Sequence, residues 1–176
     1  ICGICSFIHG QSYCQGIEEI MNIPVPPRAR YLRTIWGELS RIHSHLLWLG
    51  LMADAMGFES LFMHAWRVRE RVLGVIEATT GGRVIFGTCK VGGVRRDIDD
   101  KAMQSLLDSL AEAEQEAREI VRVFLNDSTV KHRLCGVGAL SRDEAYALGC
   151  VGPTLRASGW ARDMRKLGYA AFNELS

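Results

Sequence analysis

No run in this sequence approaches the ~20 consecutive apolar residues that a membrane-spanning helix needs, so no transmembrane segment is expected. Charge of one sign is also lacking: 21 Lys and Arg stand against 20 Asp and Glu, for a formal value of +1. So even a balance gives no bulk field to gather nucleic acid or an anionic membrane surface, and neither is expected as a direct partner. GxGxxG and P-loop patterns are missing, and the pair Gly92-Gly93 alone is too little to cradle a phosphate, so direct nucleotide binding is not expected. Ile1-Cys2-Gly3-Ile4-Cys5 has no positive n-region and is not a signal peptide; the lack of an initiator Met suggests a piece of a longer protein. Six cysteines in 176 residues are sparse for a disulfide scaffold. Cys14, Cys89, Cys135 and Cys150 stand singly and are read as small buried hydrophobes in a reducing cytoplasm.

What is present reads as one helical domain over residues 1–176, long enough to bury a real core. Tyr13, Ile17, Ile20 and Met21 recur at helical spacing, and Asn22-Ile23-Pro24-Val25-Pro26-Pro27 ends that helix and starts another, with Pro27 in its first turn. The second helix is long, with Leu32, Ile35, Trp36, Leu39, Ile42, Leu46, Leu49 and Met52 as its stripe and Gly57 as its stop. A third, over 60–79, carries Leu61, Ala65, Val68, Val72, Val75 and Ile76, and Gly81-Gly82 closes it. Short β-branched runs broken by glycine over 83–97 predict a small hairpin or glycine-rich loop. Residues 99–125 form a second long helix. Its stripe includes Met103, Leu106, Leu107, Leu110, Ala117, Ile120, Val121 and Phe124, and its acidic face (Asp108, Glu112, Glu114, Glu116) is read as solvated. Ser141-Arg142-Asp143-Glu144 is a capping box, 149–159 a loop around Gly152-Pro153, and the end a short helical tail. The fold class is mainly α: a multi-helix bundle with two long helices and a small hairpin.

The feature that carries chemistry is Cys2-Gly3-Ile4-Cys5-Ser6-Phe7-Ile8-His9, a CxxCxxxH. Two thiolates two residues apart can grip one metal centre from a single turn, and His9, a helical turn on, can ligate or hydrogen-bond a thiolate. A lone CxxC is weak by itself, and an ordinary helix start with a satisfied histidine is the bland alternative. A thioredoxin-like redox pair needs a preceding strand, and a structural zinc site needs four ligands, whereas this chain holds no second CxxC. The two-thiolate set therefore needs ligands from elsewhere.

Ile1 to His9 resembles the N-terminal metal-binding motif of nickel–iron (NiFe) hydrogenase large subunits. Pro26-Pro27-Arg28-Ala29-Arg30-Tyr31-Leu32-Arg33, the stretch Glu38 to Gly50, Gly92-Gly93-Val94-Arg95-Arg96-Asp97 and Gly152 to Gly159 resemble the related 49 kDa subunit of respiratory complex I. The blocks keep the family's order and span nearly the whole chain. Cysteines together with the later blocks look like the energy-converting, membrane-bound hydrogenases, here as an internal stretch of the large subunit with its N- and C-terminal parts absent.

That resemblance implies reversible conversion of two protons and two electrons into dihydrogen. Cys2 would be a terminal thiolate on nickel, Cys5 would bridge nickel and iron, and His9 would hydrogen-bond Cys5. The family completes its site with a second CxxC near its C-terminus, so this stretch alone is expected to be inactive and to hold at most adventitious zinc. Tyr13 and Asp54 correspond to quinone-chamber positions of complex I, a quinone-reductase subunit being the alternative reading. A non-catalytic zinc-binding or assembly domain is the third. The implied partners are an iron–sulfur small subunit and membrane subunits, with the protein peripheral on the inner, cytoplasmic face of the cell membrane. Apolar surface left bare would favour self-association. Glu38, Arg41 and His45 share a helix face as a polar network or subunit contact, and Arg95, Arg96 and Asp97 suggest an ion-paired loop.

Overall fold

The computed structural model describes residues 2–175, which divide into two compact units between Phe124 and Leu125. The chain is mainly α, as the periodicity predicts. In the first unit, α1 (Ser6–Met21) precedes the long helices α2 (Pro27–Ala55) and α3 (Glu59–Thr80). A two-stranded hairpin, β1 (Cys89–Lys90) and β2 (Gly93–Val94), leads to α4 (Asp100–Asn126).

Helix α2 starts where its sequence says. Pro26 is extended, and Pro27 occupies the first turn, where a missing N–H costs nothing. Both α2 and α3 stop at glycines in the left-handed region, Gly57 at φ 82° and Gly81 at φ 80°. The two helices run antiparallel. Trp36 Nε1 donates to Thr79 Oγ1 at 3.2 Å, Arg69 donates to the His43 carbonyl, and Gly50 faces Ala65 and Trp66. Trp36, Leu39 and Leu46 meet Val68, Val72 and Ile76 in the core, which Phe7, Phe86, Ile98 and Ile120 complete.

A Cβ at Gly50 would lie 2.8 Å from two atoms of the Trp66 ring. Gly50→Ala gains about 1 kcal/mol of helix propensity but overpacks a core at a cost of about 1–3 kcal/mol. The ring is fixed between Phe62 and Arg69, so the clash is expected to win. Urea unfolding should therefore show a lower midpoint; a raised one would mean that Trp66 moves aside freely.

Helix α1 corrects the sequence reading. It begins at Ser6, and its inward face is Phe7, Gln11, Cys14 and Glu18. Tyr13, Ile20 and Met21 of the expected stripe face outward, with Ile20 83% exposed. Tertiary pairing overrides hydropathy here, because Glu18 finds a buried partner in Arg33.

On α4, Leu106, Ala113 and Ile120 form a narrower seam than expected, while Leu107 and Val121 are exposed. The acidic face is not wholly solvated. Glu116 accepts from His64, Arg67 and Arg71 at 3.0–3.1 Å, and Glu112 pairs with Arg71, so part of that face turns to α3.

The hairpin is shorter than the β-branched pattern predicts, with Cys89 opposite Val94 and Lys90 opposite Gly93. Residues 83–87 form no strand. The chain doubles back at Gly82 so tightly that a Cβ there would sit 2.6 Å from the Ile85 carbonyl.

The second unit holds α5 (Ser128–Leu134), α6 (Arg142–Ala147), α7 (Gly152–Ala157) and two 3₁₀ turns at 164–167 and 172–174. The Ser141–Glu144 capping box forms as the sequence indicates. The expected loop over 149–159 contains α7 instead, because Pro153 suits a first helical turn as well as it suits a bend. Trp160 stacks on Tyr146 with ring centres 5.5 Å apart and takes the Arg142 guanidinium over its face at 4.1 Å.

Candidate functional site

The CxxC turn leads directly into α1. Cys5 is the residue before the helix, and its carbonyl accepts the His9 amide at 3.3 Å. Cys2 is exposed and Cys5 is half-buried. Cys5 Sγ lies 3.9 Å from the Cys2 carbonyl oxygen. The amides of Cys5 and Ile4, then the Cys5 thiol, donate toward the Cys2 sulfur and draw its pKa below the ordinary thiol value. Burial pushes the Cys5 thiol up, and donation to Cys2 adds to that. The two sulfurs are thus neighbours, with the charge favoured on Cys2.

An open groove of about 640 Å³ runs along this end of α1. Cys2, Gly3, Ser6, His9, Gly10 and Tyr13 form one wall, and Ile85, Phe86 and Gly87 form the other. The second wall is anchored by Phe86, which stacks on Phe7 with ring centres 5.1 Å apart. Ile85 sits over the turn, so a Cβ at Gly3 would touch it at 3.3 Å. The doubling back at Gly82 is what carries this wall to α1.

Of the residues singled out in the sequence, Cys2, His9 and Tyr13 line the groove, with Cys5 beside Cys2. Asp54 is exposed near the far end of α2 and does not line it. Arg41 and Glu38 pair at 3.3 Å on α2, and His45 is exposed. Asp97 of the Gly92–Asp97 block pairs with Arg28 from the earlier block at 2.8 Å. Among the described residues no three His, Cys, Asp or Glu side chains converge. The two sulfurs alone match the soft part of a metal's ligand shell, and further ligands would have to come from other segments.

Two buried polar pairs escaped the sequence reading. Arg33 grips both carboxylate oxygens of Glu18, at 2.6 and 2.9 Å, and also donates to the Lys90 and Gly93 carbonyls. The Gly92 amide closes the cluster on Glu18 at 2.8 Å. His43 and Arg69 form the second pair. Each was signalled by a charged or titratable residue inside an apolar stripe: Arg33 beside Leu32, His43 between Leu39 and Leu46, Arg69 beside Val68.

A mainly helical scaffold with a CxxC turn is compatible with a subunit of a redox enzyme, and the comparisons give the family. Residues 55–176 match the family of the respiratory-chain NADH dehydrogenase 49 kDa subunit, and the chain belongs to that family. It is 44% identical over 165 residues to the membrane-bound hydrogenase subunit alpha of Pyrococcus furiosus, covering 94% of this chain and 39% of that protein. It is 41% identical to formate hydrogenlyase subunit 5 of Escherichia coli, over 94% of this chain and 29% of that protein. It is also similar, at 42% identity over 87% of this chain and 30% of the relative, to a subunit of the NADH-quinone oxidoreductase of Phocaeicola vulgatus. In three dimensions it resembles a chain of the membrane-bound sulfane sulfur reductase, an archaeal respiratory membrane complex. There the TM-score is 0.85 at 32% identity, over 91% of this chain and 43% of that one. The chain thus spans less than half the length of these relatives. No helix among the described residues is long and apolar enough to cross a membrane.

Proposed function

We propose that this chain is the central part of the large subunit of an energy-converting NiFe hydrogenase, interconverting two protons and two electrons with dihydrogen. The observation that carries this reading is the pair of adjacent sulfurs, Cys2 in the wall of a groove shared with His9 and Cys5 beside it. Similarity to two hydrogenase subunits over 94% of the chain supports it. When bound, a nickel–iron centre supplies the redox chemistry. Cys2 and Cys5 would hold one side of it, as thiolates suit a soft, low-valent site. His9 stands in the same groove, where its imidazole could hydrogen-bond the Cys5 sulfur. Ile85 and Phe86 present an apolar wall opposite Cys2 and His9.

The remaining ligands, an iron–sulfur small subunit as electron donor, and membrane subunits on the inner face of the cell membrane complete this reading. The 176-residue stretch alone is expected to be inactive. A quinone-reductase role is the second reading, favoured by Tyr13 in the groove and by the NADH-quinone oxidoreductase relative. Metal analysis of the full-length protein, prepared without oxygen, separates them. Stoichiometric nickel with dihydrogen-dependent dye reduction is expected, and full-length protein free of nickel but active with quinone would overturn the hydrogenase reading. Nickel-dependent dihydrogen oxidation by the 176-residue chain alone would refute its expected inactivity.

A further inference from the structure

Behind the CxxC turn lie two residues that no ligand assignment includes, His43 of α2 and Arg69 of α3. Both are buried, His43 completely and Arg69 to 5% exposure. Arg69 Nε donates to the His43 carbonyl at 3.1 Å, and a terminal guanidinium nitrogen lies 3.3 Å from His43 Nδ1. A guanidinium has only donors, so Nδ1 must be the acceptor, and a neutral ring must then carry its proton on Nε2. Burial, then the Arg69 charge, holds the His43 pKa below its ordinary value, which keeps the ring neutral. The Ile4 carbonyl, inside the turn between Cys2 and Cys5, lies beside this ring and works in the opposite direction. Nε2 is buried without a partner of hydrogen-bond geometry. A buried N–H left unpaired is costly, and the nearby carbonyl belongs to the segment that carries both sulfurs.

We propose that Arg69 locks His43 in the Nε2–H tautomer and that His43, through the Ile4 carbonyl, positions the CxxC turn so that both sulfurs grip one metal ion. His43 is a positioning residue here, and the inference rests on the metal-binding reading of Cys2 and Cys5. It adds a donor from the helix core to a site otherwise built from one short segment. A small closure of the turn completes the Nε2–H bond to Ile4, so metal uptake and satisfaction of the buried donor favour each other.

Cobalt(II) titration of the reduced 176-residue chain tests this, since thiolate-to-cobalt absorption reports sulfur ligation. His43→Phe is expected to weaken cobalt binding about 10–100-fold, the usual effect of removing a partner behind a ligand. His43→Gln should restore most of it, because a carboxamide can accept from Arg69 and donate to Ile4. Equal weakening in both variants, or none in either, would overturn the positioning role. Nitrogen NMR of the unaltered chain gives an independent check that needs no variant: an Nδ1–H tautomer or an imidazolium at His43 would also overturn it. Cobalt bound by the unaltered chain without a sulfur signature would instead sink the metal reading itself, and this inference with it.

Discussion

Arg33→Met is expected to remove about 3–5 kcal/mol of folding stability at neutral pH, because it leaves the Glu18 carboxylate buried with its main partner gone. Both side chains are almost fully enclosed, at 2% and 7% exposure, so solvent screens the pair little. The pH dependence gives a second signature. In the native chain the Arg33 hydrogen bond, opposed by burial and helped by the Gly92 amide, holds the Glu18 pKa below the usual carboxylate range. That contribution is fully present above the unfolded value of about 4.3 and is lost as pH falls through the folded one. Without Arg33 the burial effect dominates and raises the pKa of Glu18, so the variant should gain stability on mild acidification while the native chain does not. Urea unfolding at pH 7 and pH 5 measures both. A loss under about 1 kcal/mol at pH 7 would mean that water reaches the cluster. Adding Glu18→Leu to Arg33→Met should recover much of the loss, since an apolar pair of similar volume avoids the unpaired charge.

Cys5→Ser and Cys2→Ser are each expected to lower the affinity of the reduced chain for cobalt(II) by more than about 100-fold, beyond the 10–100-fold typical of an outer partner. A hydroxyl is a poor, hard ligand for a soft site, and one remaining sulfur cannot chelate. Cys14→Ser and Cys89→Ser supply the contrast. Burial pushes the Cys89 thiol up to about 12, and burial also raises that of Cys14. Both stay protonated at neutral pH and should leave cobalt binding unchanged. If the Cys14 or Cys89 variant lost cobalt while Cys5→Ser kept it, the metal grip would lie in the Glu18–Arg33 cluster and not at the turn.

The long helices were legible because their signals are local. Pro27 opens α2, Gly57 and Gly81 close α2 and α3, and the Leu32–Leu46 and Ala65–Ile76 stripes face each other. The rotation of α1 was not legible, since it depends on Arg33, fifteen residues away in sequence and on another helix. An apolar-moment reading places Ile20 and Met21 inside and Glu18 outside, whereas a bidentate ion pair reverses the order. The CxxCxxxH motif named one wall of the candidate groove, but the facing wall at 85–87 comes from a turn at Gly82 that the β-branched pattern does not specify. Asp54, set at a quinone-chamber position by resemblance alone, lies outside this groove.

The reversed face of α1 has a practical consequence for anyone making soluble versions of this stretch. Ile20 and Met21, which also stand clear of the groove, can be exchanged for polar residues with little cost to the core, as they contribute nothing to it. Glu18, which a solubility redesign would leave alone as surface or alter without concern, holds the buried pair with Arg33 and tolerates little. An automated scheme that scores each residue by its hydropathy would protect the expendable side of this helix and edit the indispensable one.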